Sequence, residues 1–508
     1  MVKYEYFIEK HLITKDNEVY DGLAGRCGLS NNVFNEGLYV MRQHFFLKTN
    51  QHYTDVILPE IQKKCLSYDD VQKYLSEHSE NYSNLSANAA QLTVRKLTNS
   101  FSSFYELLEM KKSGEYEKEV DMPNYKKSGG LFVVTYNKQP LEKKYNELNK
   151  IILPKTNIEL PIKVLHWDTM TQISLVPKYG AIEIQVCYRV PVDTQEPEEK
   201  TEEKVEETNK ETPIENKTDV NNVEENSNTE ETEKVKNVMG IDLGADNLAT
   251  CVSNVFRSFI IDGRPIKNIN HFYNKIRAEE YSKLDNQINK KTWKEINSIK
   301  YSKDLSEEEK KSKLYFLYKK IIRTTNRLEQ VSLRRRNFIN DYFHKASSYI
   351  VNQAVKYKIQ TIFIGLNKQW KQETNMGKVN NQNFVSIPHS TLIEMIKYKA
   401  SRHHIEVVVI EESYTSKASF LNNDEIYTYG QEPAEMNFSG YRAKRGLYKI
   451  KGCKTIINAD VNGAFNIMRK GLNVNSDVLK PRVNGYVFCP EKVTLLLKPK
   501  KKAKKIVK

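Results

Sequence analysis

Asp242 has a residue type and a setting that suit metal-dependent chemistry on phosphates. It ends a short apolar run in NVMGIDLG, the segment Asn237–Gly244. The flanking glycines let a phosphate or a metal ion approach the backbone, and a carboxylate at a strand's end is how a metal-dependent phosphoryl-transfer site begins. By itself the segment is only a moderately specific signal for such a site, because many turns of this kind are plain hairpins.

A kinase is an alternative explanation of the turn at Asp242. Actin-like and sugar kinases use a similar Asp-x-Gly turn to hold ATP phosphates. Such an enzyme would also need a second Gly-rich phosphate loop and an adenosine motif, and neither is visible in the sequence. The missing motifs count against a kinase.

Asp460 is the second candidate carboxylate. It precedes a stretch with helical spacing in INADVNGAFNIMRKG, the segment Ile457–Gly471. An aspartate near a helix N-terminus is stabilised there by capping and by the helix dipole, which explains a lone Asp460 about as well as chemistry does. The pairing with Asp242 favours chemistry, since two-metal hydrolysis needs several carboxylates at one sheet edge.

A third carboxylate is expected on a strand between these two segments. The apolar segment Thr361–Asn367, TIFIGLN, has Gly365 where an acid would be expected. The next apolar segment, Glu406–Glu412, ends in Glu411 and Glu412. Because side chains alternate along a strand, only one of these two glutamates can face the metal ions.

The elements around the carboxylates follow an order typical of one fold class. Three apolar strands are followed by a long polar helical zone at about His271–Tyr357, a strand, an amphipathic helix near Pro388–Arg402, a further strand and a last helix. This order predicts an RNase H-like nuclease domain over residues 237–475.

The first part of the chain has a different pattern. Helical spacing over Asn31–Leu47 and Asn88–Met110 predicts a helical insertion at residues 31–114. Strand-like segments on either side predict a β-barrel-like domain formed by residues 1–30 and 115–192. The predicted fold class is α+β and multidomain, a layout able to grip nucleic acid from two sides.

The charge of the chain is unevenly distributed. The segment Asp193–Lys234 holds 16 acidic residues, five lysines and no aromatic residue, so we predict a disordered acidic insert at 193–236. It contributes −11 to the formal net charge of +15, which leaves +26 for the rest. That surplus, with 30 Tyr and 19 Phe, is typical of a nucleic-acid partner, although a lysine-rich soluble protein has a similar composition.

Cysteines and apolar runs exclude several classes of protein. The six cysteines of the 508-residue chain show no C-x-x-C pair and no disulfide-framework spacing, so a reducing compartment is expected. No run of about 18 apolar residues occurs and the N-terminus is charged, so neither membrane spanning nor Sec export is expected.

Four ordered motifs resemble those of one protein family. They are GIDLGADNLAT from Gly240, IFIGLNKQWK from Ile362, YTSK from Tyr414 and NADVNGAFNIMRK from Asn458. In this order they look like the RuvC motifs of TnpB, the transposon-encoded RNA-guided DNA nuclease, and of its Fanzor relatives and type V CRISPR effectors. Segments of the first half, including PNYKK at Pro123–Lys127, are similar to the N-terminal half of TnpB.

The sequence departs from the TnpB pattern in its third acid. TnpB proteins typically have Glu in the strand that Thr361–Asn367 matches, where this chain has Gly365. Some relatives, Fanzor among them, look as though this glutamate has moved to the strand before the Thr-Ser motif. Glu412, three residues before Thr415, matches the relocated position best, with Glu411 second.

A second departure concerns zinc. TnpB usually has a four-cysteine zinc ribbon between the Thr-Ser motif and the last aspartate. Here the corresponding insertion at about 417–457 contains only Cys453, and one thiol cannot make a structural zinc site. We predict a degenerate target-nucleic-acid-binding insertion without zinc.

The resemblance implies a mechanism and partners. Asp242, Glu412 and Asp460 would hold Mg²⁺, with Mn²⁺ as a substitute, and hydrolyse a DNA phosphodiester. A guide RNA from the same locus would select the double-stranded DNA target by base pairing, while the protein reads a short flanking motif. The alternative is a nuclease-inactive RNA-guided repressor, since one acid is missing from its usual place.

Three basic segments are predicted to contact nucleic acid. A plain exposed face is the alternative for the segment at Arg334–Lys345, and a solvated hairpin for the segment in the insertion. The candidate residues are Arg334, Arg335, Arg336, Lys126, Lys127, Arg442, Lys444 and Arg445. The tail at 476–508 contains PKKKAKK, which resembles a nuclear localisation signal and equally suits nonspecific DNA binding. A prokaryotic host would place the protein in the cytoplasm at the nucleoid, and a eukaryote or its virus in the nucleus.

Overall fold

The computed structural model describes residues 4–48, 66–164, 166–191, 236–302, 305–366, 387–431, 433, 435–444, 446–454, 456–474, 479 and 489–496. These residues divide into two compact units, Met1–Lys217 and Thr218–Lys508. Nearly all of the predicted acidic insert and most of the basic tail lie outside the described residues. None of the described helices combines the length and apolar character needed to cross a membrane.

The first unit combines an antiparallel sheet with helices. The four strands are β1 (Tyr4–Ile13), β2 (Val134–Asn137), β3 (Met170–Lys178) and β4 (Ala181–Pro191), in the order β1-β4-β3-β2. The helices are α1 (Tyr20–Lys48), α2 (Tyr68–His78), α3 (Glu80–Asn84), α4 (Ala87–Lys112) and α5 (Gln139–Leu148). The barrel-like closure of this sheet stays a prediction.

Helix α1 joins the two hydrophobic cores of the first unit. Its first turns bury Leu23 and Cys27 against the sheet, and its later turns bury Val33 and Leu38 against α2 and α4. The helix begins well before Asn31, where the sequence pattern placed its start. Several glycines weaken the helical signal in its first turns, and packing against the sheet overrides their low propensity.

The second unit is built on a six-stranded sheet. Its strands are β5 (Val238–Leu243), β6 (Asn247–Ser253), β7 (Phe259–Asp262), β8 (Thr361–Gly365), β9 (Glu406–Ile410) and β13 (Glu491–Val493), in the order β13-β7-β6-β5-β8-β9. Strands β5, β6 and β7 are antiparallel neighbours, whereas β5, β8 and β9 run parallel. A separate antiparallel sheet contains β10 (Gly440–Lys444), β11 (Leu447–Ile450) and β12 (Ile456–Asn458).

Six helices of the second unit are described. They are α6 (Arg264–Asn286), α7 (Lys290–Lys300), α8 (Glu307–Lys320), α9 (Asn326–Lys356), α10 (His389–Ser401) and α11 (Ala459–Leu472). The third strand predicted before the long helical zone corresponds to RSFIIDGRPIKNI, at 257–269, and that prediction is wrong for the second half of the segment. Strand β7 ends at Asp262 and α6 begins at Arg264, because Gly263 and Pro265 suit a helix start.

The two faces of the large sheet pack against different helices. On β5, Met239, Ile241 and Leu243 point into the core shared with α9 and α10. The alternate residues Gly240 and Asp242 therefore point to the opposite face, which α11 covers. A Cβ on Gly240 would lie 2.5 Å from the Ala464 carbonyl oxygen, so the glycine allows α11 to lie directly on the strand.

Candidate metal-binding active site

Asp242 lies near the end of β5, under the first turns of α11. A Cβ built on Gly463 of α11 would lie 3.1 Å from Asp242 Oδ2. Any larger residue at 463 would press on this carboxylate, so the small residues of α11 leave the space that the aspartate needs. Strand β5 thus supplies the position of Asp242, and α11 covers it.

Asp460 lies in the first turn of α11, beside the sheet edge. The side chain of Asn458 caps this helix and accepts hydrogen bonds from the backbone N–H groups of Asp460 and Val461, each 3.0 Å long. Capping is therefore performed by Asn458, which leaves the carboxylate of Asp460 to other partners. Asn247 Nδ2 donates to Asp460 Oδ2 at 2.7 Å, and Arg442 Nη2 donates to Oδ1 at 3.0 Å.

Glu412 follows β9 and its carboxylate lies in front of β8. A Cβ built on Gly365, the last residue of β8, would lie 2.8 Å from Glu412 Oε2. The Thr415 hydroxyl donates to the Glu412 carbonyl at 2.8 Å and holds the turn that follows. The carboxylate thus occupies the neighbourhood in which a side chain on residue 365 would begin.

Glu411 points toward a different partner. Lys470 Nζ of α11 lies 2.5 Å from Glu411 Oε2, and the backbone N–H of Ser413 donates to Oε1 at 2.8 Å. The strand ends at Ile410, so both glutamates lie beyond it and not within it as the sequence analysis assumed. Glu412 and Asp460 each lie close enough to Asp242 for their negative charges to act on its carboxylate, whereas Glu411 pairs with Lys470.

The protonation of Asp242 responds to burial and to the two other carboxylates. Burial raises the pKa of Asp242 well above its usual value, and the negative charges of Glu412 and Asp460 raise it further, while Arg442 opposes them. Burial, with a smaller contribution from Glu411, raises the pKa of Glu412 to about 7. The site therefore holds excess negative charge in a buried place, which a divalent cation would offset.

The donor chemistry fits a hard divalent cation, but the site is not fully assembled. Carboxylate oxygens are the ligands that Mg²⁺ prefers. In the described part of the chain, no group of three or more His, Cys, Asp or Glu residues is positioned to hold a metal ion. Both oxygens of Asp460 accept hydrogen bonds from Asn247 and Arg442, so its binding to a cation requires one of these contacts to rearrange.

Asn247 and Arg442 have site contacts that the sequence analysis missed. Asn247 lies at the start of β6, in the same GADNLAT turn that follows Asp242, and its nearness to that turn was the available signal. Arg442 was predicted as a nucleic-acid contact, and the structure places its guanidinium on Asp460 while about half of its side chain stays exposed. This position lets Arg442 face both the carboxylate and a phosphate.

The other predicted nucleic-acid contacts on α9 differ in their surroundings. Arg334 is exposed. Arg335 Nε donates to Asn270 Oδ1 of α6 at 2.6 Å, and its guanidinium lies 5.2 Å from the centre of the Tyr273 ring. Arg335 therefore packs α6 against α9, whereas Arg336 is only partly exposed. Their binding to nucleic acid stays a prediction.

Three of the four remaining predicted contacts are exposed lysines. In the first unit, Lys126 and Lys127 are exposed, and Lys126 Nζ lies 4.7 Å from the centre of the Phe34 ring. Lys444 is exposed at the end of β10 in the second unit. Arg445 lies outside the described residues. Their roles stay predictions as well.

A hydrogen-bonded hub holds the insertion at 417–457 onto α11. Asp424 Oδ2 accepts from the backbone N–H groups of Ser419 and Ser439, at 2.7 and 2.9 Å, and so joins two distant parts of the insertion. Arg469 of α11 donates to the Asp424 carbonyl at 2.7 Å and to Asn466 Oδ1 at 3.2 Å. The buried amide of Asn466 in turn donates to backbone carbonyls of the insertion.

Two family models match the chain. Residues 185–371 match the family described as OrfB_IS605, Probable transposase, and residues 389–467 match the one described as Cas12f1-like, TNB domain. The second region covers α10, Glu412, the insertion and Asp460. The two matched regions together contain Asp242, Glu412 and Asp460.

Curated relatives point to the same family. TnpB-like protein MJ0751 of Methanocaldococcus jannaschii is 24% identical over 250 residues, which cover 47% of this chain and 71% of the relative. TnpB-like protein ORF457 of Acidianus two-tailed virus is 24% identical over 472 residues, covering 89% and 84%. The CRISPR-associated endodeoxyribonuclease Cas12f1 of Sulfoacidibacillus thermotolerans is 29% identical over 141 residues, covering 28% and 29%. These matches confirm the resemblance to the TnpB family.

Solved structures of Cas12 effectors are similar only loosely. The Cas12f1–sgRNA–target DNA complex is 14% identical, with a TM-score of 0.27 and coverage of 91% of this chain and 98% of that chain. C2c1 of Alicyclobacillus acidoterrestris with single-guide RNA is 10% identical, with a TM-score of 0.31 and coverage of 89% and 70%. Superpositions this loose do not assign a fold.

Proposed function

We propose that this chain is an RNA-guided DNA endonuclease of a transposable element that cleaves DNA next to a short flanking motif. The observation that carries the proposal is the placement of three carboxylates from separate segments: Asp242 lies under the first turns of α11, whose first turn holds Asp460, and Glu412 lies in front of β8, the strand beside β5. The relationship to TnpB-like proteins and to an endodeoxyribonuclease supports the same conclusion.

The topology of the second unit supports an RNase H-like nuclease domain. Three antiparallel strands are followed by two parallel ones, so that the first strand lies at the centre of the order β7-β6-β5-β8-β9. Helices between β8 and β9 and after β12 complete the expected element order. In this arrangement the central strand β5 carries Asp242, while Glu412 comes from the turn after β9 and Asp460 from the first turn of α11.

Asp242, Glu412 and Asp460 would hold Mg²⁺, and Mn²⁺ could replace it. When bound, such ions supply an activated water and stabilise the leaving oxygen of a phosphodiester. Asn247 orients Asp460 through its 2.7 Å hydrogen bond, and Arg442 adds a positive charge on the exposed side of the same carboxylate. Lys470 keeps Glu411 turned away from the three acids.

Target choice would be delegated to a guide RNA from the same locus. The double-stranded DNA target would be selected by base pairing, and the protein would contribute backbone contacts and recognition of the flanking motif. The first unit, helix α9 and the insertion at 417–457 would hold these nucleic acids, using exposed residues such as Lys126, Lys127, Arg334 and Lys444.

The test is to purify the protein with the RNA that binds to it and to sequence that RNA. A discrete structured RNA encoded beside the gene is expected. The ribonucleoprotein should then cut a plasmid carrying the matched target in the presence of Mg²⁺, and Asp242→Asn should bind the plasmid without cutting it. Recovery of only heterogeneous cellular RNA, or cutting that ignores the guide sequence, would contradict the proposal.

A guided repressor is the second candidate function. It is favoured by Gly365 at the place of the usual glutamate and by the unassembled state of the carboxylate site. A ribonucleoprotein that binds the matched plasmid but leaves it intact with Mg²⁺ and with Mn²⁺ would support this function instead.

A further inference from the structure

Helices α7 and α8 form a helical hairpin, called here the α7–α8 arm, whose base is fixed by a polar cluster. Asp285, near the end of α6, accepts hydrogen bonds from Trp293 Nε1 at 2.8 Å and from Arg323 Nη1 at 2.9 Å. Asn289 donates to the Ile322 carbonyl at 2.9 Å and so joins the two ends of the arm. The arm therefore leaves the domain from a defined base.

The outer surface of the arm carries aromatic rings in solvent. The exposed fractions are 75% for Tyr301, 56% for Tyr315, 62% for Phe316 and 48% for Tyr318. The arm buries few residues of its own, with Ile296 and Leu317 as its interior contacts. Single exposed apolar residues are normal on a protein surface, but four exposed rings on one short hairpin indicate a binding surface.

Positive charge surrounds these rings. The described residues between 290 and 323 include ten Lys or Arg residues and four Glu. Lys319 Nζ lies 4.1 Å from the centre of the Tyr315 ring, and Lys300 Nζ lies 5.8 Å from that of Tyr301. Ammonium groups thus lie over two of the exposed rings, which suits a ligand that offers flat apolar faces and negative charge together.

We infer that the α7–α8 arm binds unpaired nucleotides of a nucleic-acid strand. Exposed rings can stack on unpaired bases, and lysines can neutralise the phosphates between them, whereas bases inside a duplex do not offer their faces. A second copy of the same surface fits less well, because its excess positive charge would repel itself. The inference deepens the proposed function and rests on it for the source of the strand.

The test uses the full chain with Asp242→Asn, titrated with a fluorescein-labelled dT20 strand and with a labelled duplex of the same length. Tyr315→Ala combined with Phe316→Ala should weaken binding of the strand at least about tenfold and affect the duplex much less. Phe272→Ala, which removes an exposed ring of α6, is the matched control and should change neither affinity.

The charge contribution is measured separately. Lys311→Gln combined with Lys319→Gln should make the slope of log K against log salt concentration shallower by about 1.4 for the single strand. Lys111→Gln combined with Lys112→Gln, in the first unit, is the control and should leave this slope unchanged. Unchanged strand affinity in the Tyr315 and Phe316 variant would overturn the inference. The inference would also be overturned if light scattering showed that the protein is a dimer and that Phe316→Ala dissociates it. A wild-type protein that binds the strand through the arm but never cuts DNA would contradict the proposed function alone.

Discussion

The carboxylate of Glu412 occupies the neighbourhood in which a side chain on Gly365 would begin, with 2.8 Å between Glu412 Oε2 and an ideal Cβ on residue 365. The glycine on β8 and the glutamate after β9 are thus complementary. Neighbouring parallel strands end at the same sheet edge, so a carboxylate lost from one can be supplied from the next. This relationship gives a physical basis for a relocated glutamate.

Gly365→Ala should disturb this arrangement. The added methyl group would meet Glu412 Oε2 and the Ile467 side chain, which lies 2.5 Å from the ideal Cβ. We expect a loss of about 1–3 kcal/mol of unfolding free energy from overpacking, together with reduced cleavage. Chemical denaturation and plasmid cleavage measure the two effects. Gly28→Ala, in helix α1 where an added Cβ meets no atom within 4 Å, is the control. Wild-type behaviour of Gly365→Ala would mean that Glu412 can move freely.

Glu412→Gln and Glu411→Gln should have different effects on cleavage. Loss of a direct metal ligand should reduce the cleavage rate by more than about 100-fold, the upper end of the range for outer-shell residues. Glu411→Gln removes an ion pair with Lys470 and should leave most of the activity. Single-turnover cleavage with saturating ribonucleoprotein measures both variants. Full activity of Glu412→Gln with loss in Glu411→Gln would reverse the assignment.

Arg442→Gln should strengthen the binding of a divalent cation in the absence of nucleic acid. The guanidinium holds Asp460 Oδ1 at 3.0 Å and competes with a cation for the same oxygen. An ion pair this exposed is worth about 0.2–1 kcal/mol, so the gain in Mn²⁺ affinity should not exceed about fivefold. Electron paramagnetic resonance of free Mn²⁺ measures it directly. Weaker Mn²⁺ binding in this variant would show that Arg442 orients Asp460 for the metal.

Removal of Lys444 provides the matched control for this measurement. Lys444 lies on the same strand as Arg442 but has no contact with Asp460 among the described hydrogen bonds and ion pairs. Lys444→Gln should therefore leave the affinity for Mn²⁺ unchanged. A similar gain in both variants would indicate a general charge effect.

The sequence could predict Asp242 and Asp460 because each stands beside an apolar element whose type is clear locally. Strand alternation alone could not choose between Glu411 and Glu412, and the preference for Glu412 came from the resemblance to TnpB relatives. Strand β9 ends before both glutamates, and the orientation of Glu411 depends on Lys470, far along the chain. The contact of Arg442 with Asp460 was also beyond local pattern, because it depends on how a hairpin folds back onto α11.

Local sequence pattern is equally limited in predicting where helices and strands begin and end. The strand and helix order of the second unit follows from periodicity, whereas the early start of α1 does not. Glycines hide its helical signal, and contacts with a sheet formed by distant residues supply the missing stability. Local pattern thus predicts elements with strong periodicity, and tertiary packing decides the rest.

The metal-free protein should lose stability as pH rises. The folded-state pKa of Asp242 and that of Glu412, about 7, both lie above the values of these groups in an unfolded chain. Above about pH 4.5 the unfolded state binds fewer protons than the folded state, so the free energy of unfolding falls as pH increases through 7. Thermal unfolding in EDTA between pH 5 and 8 measures this slope. Glu412→Gln should flatten it, and an unchanged slope would exclude Glu412 as its source.

Asp424 should hold the insertion at 417–457 without a metal ion. Asp424→Ala removes the acceptor for the N–H groups of Ser419 and Ser439 and leaves both without it, at a cost of about 1–3 kcal/mol. Faster amide hydrogen exchange is expected across the insertion but not in β5. Asp424→Asn keeps one acceptor oxygen and should lie between the wild type and the alanine variant.

Zinc chelation tests whether hydrogen bonds or a zinc ion hold the insertion at 417–457. If Asp424 and Arg469 provide the cross-link between the insertion and α11, a zinc-selective chelator should leave exchange in the insertion unchanged, because the cross-link consists of hydrogen bonds and not of thiolate ligands. Faster exchange after chelation, or stoichiometric zinc in the purified protein, would contradict the prediction. The hub would then act beside a metal whose ligands include residues other than Cys453.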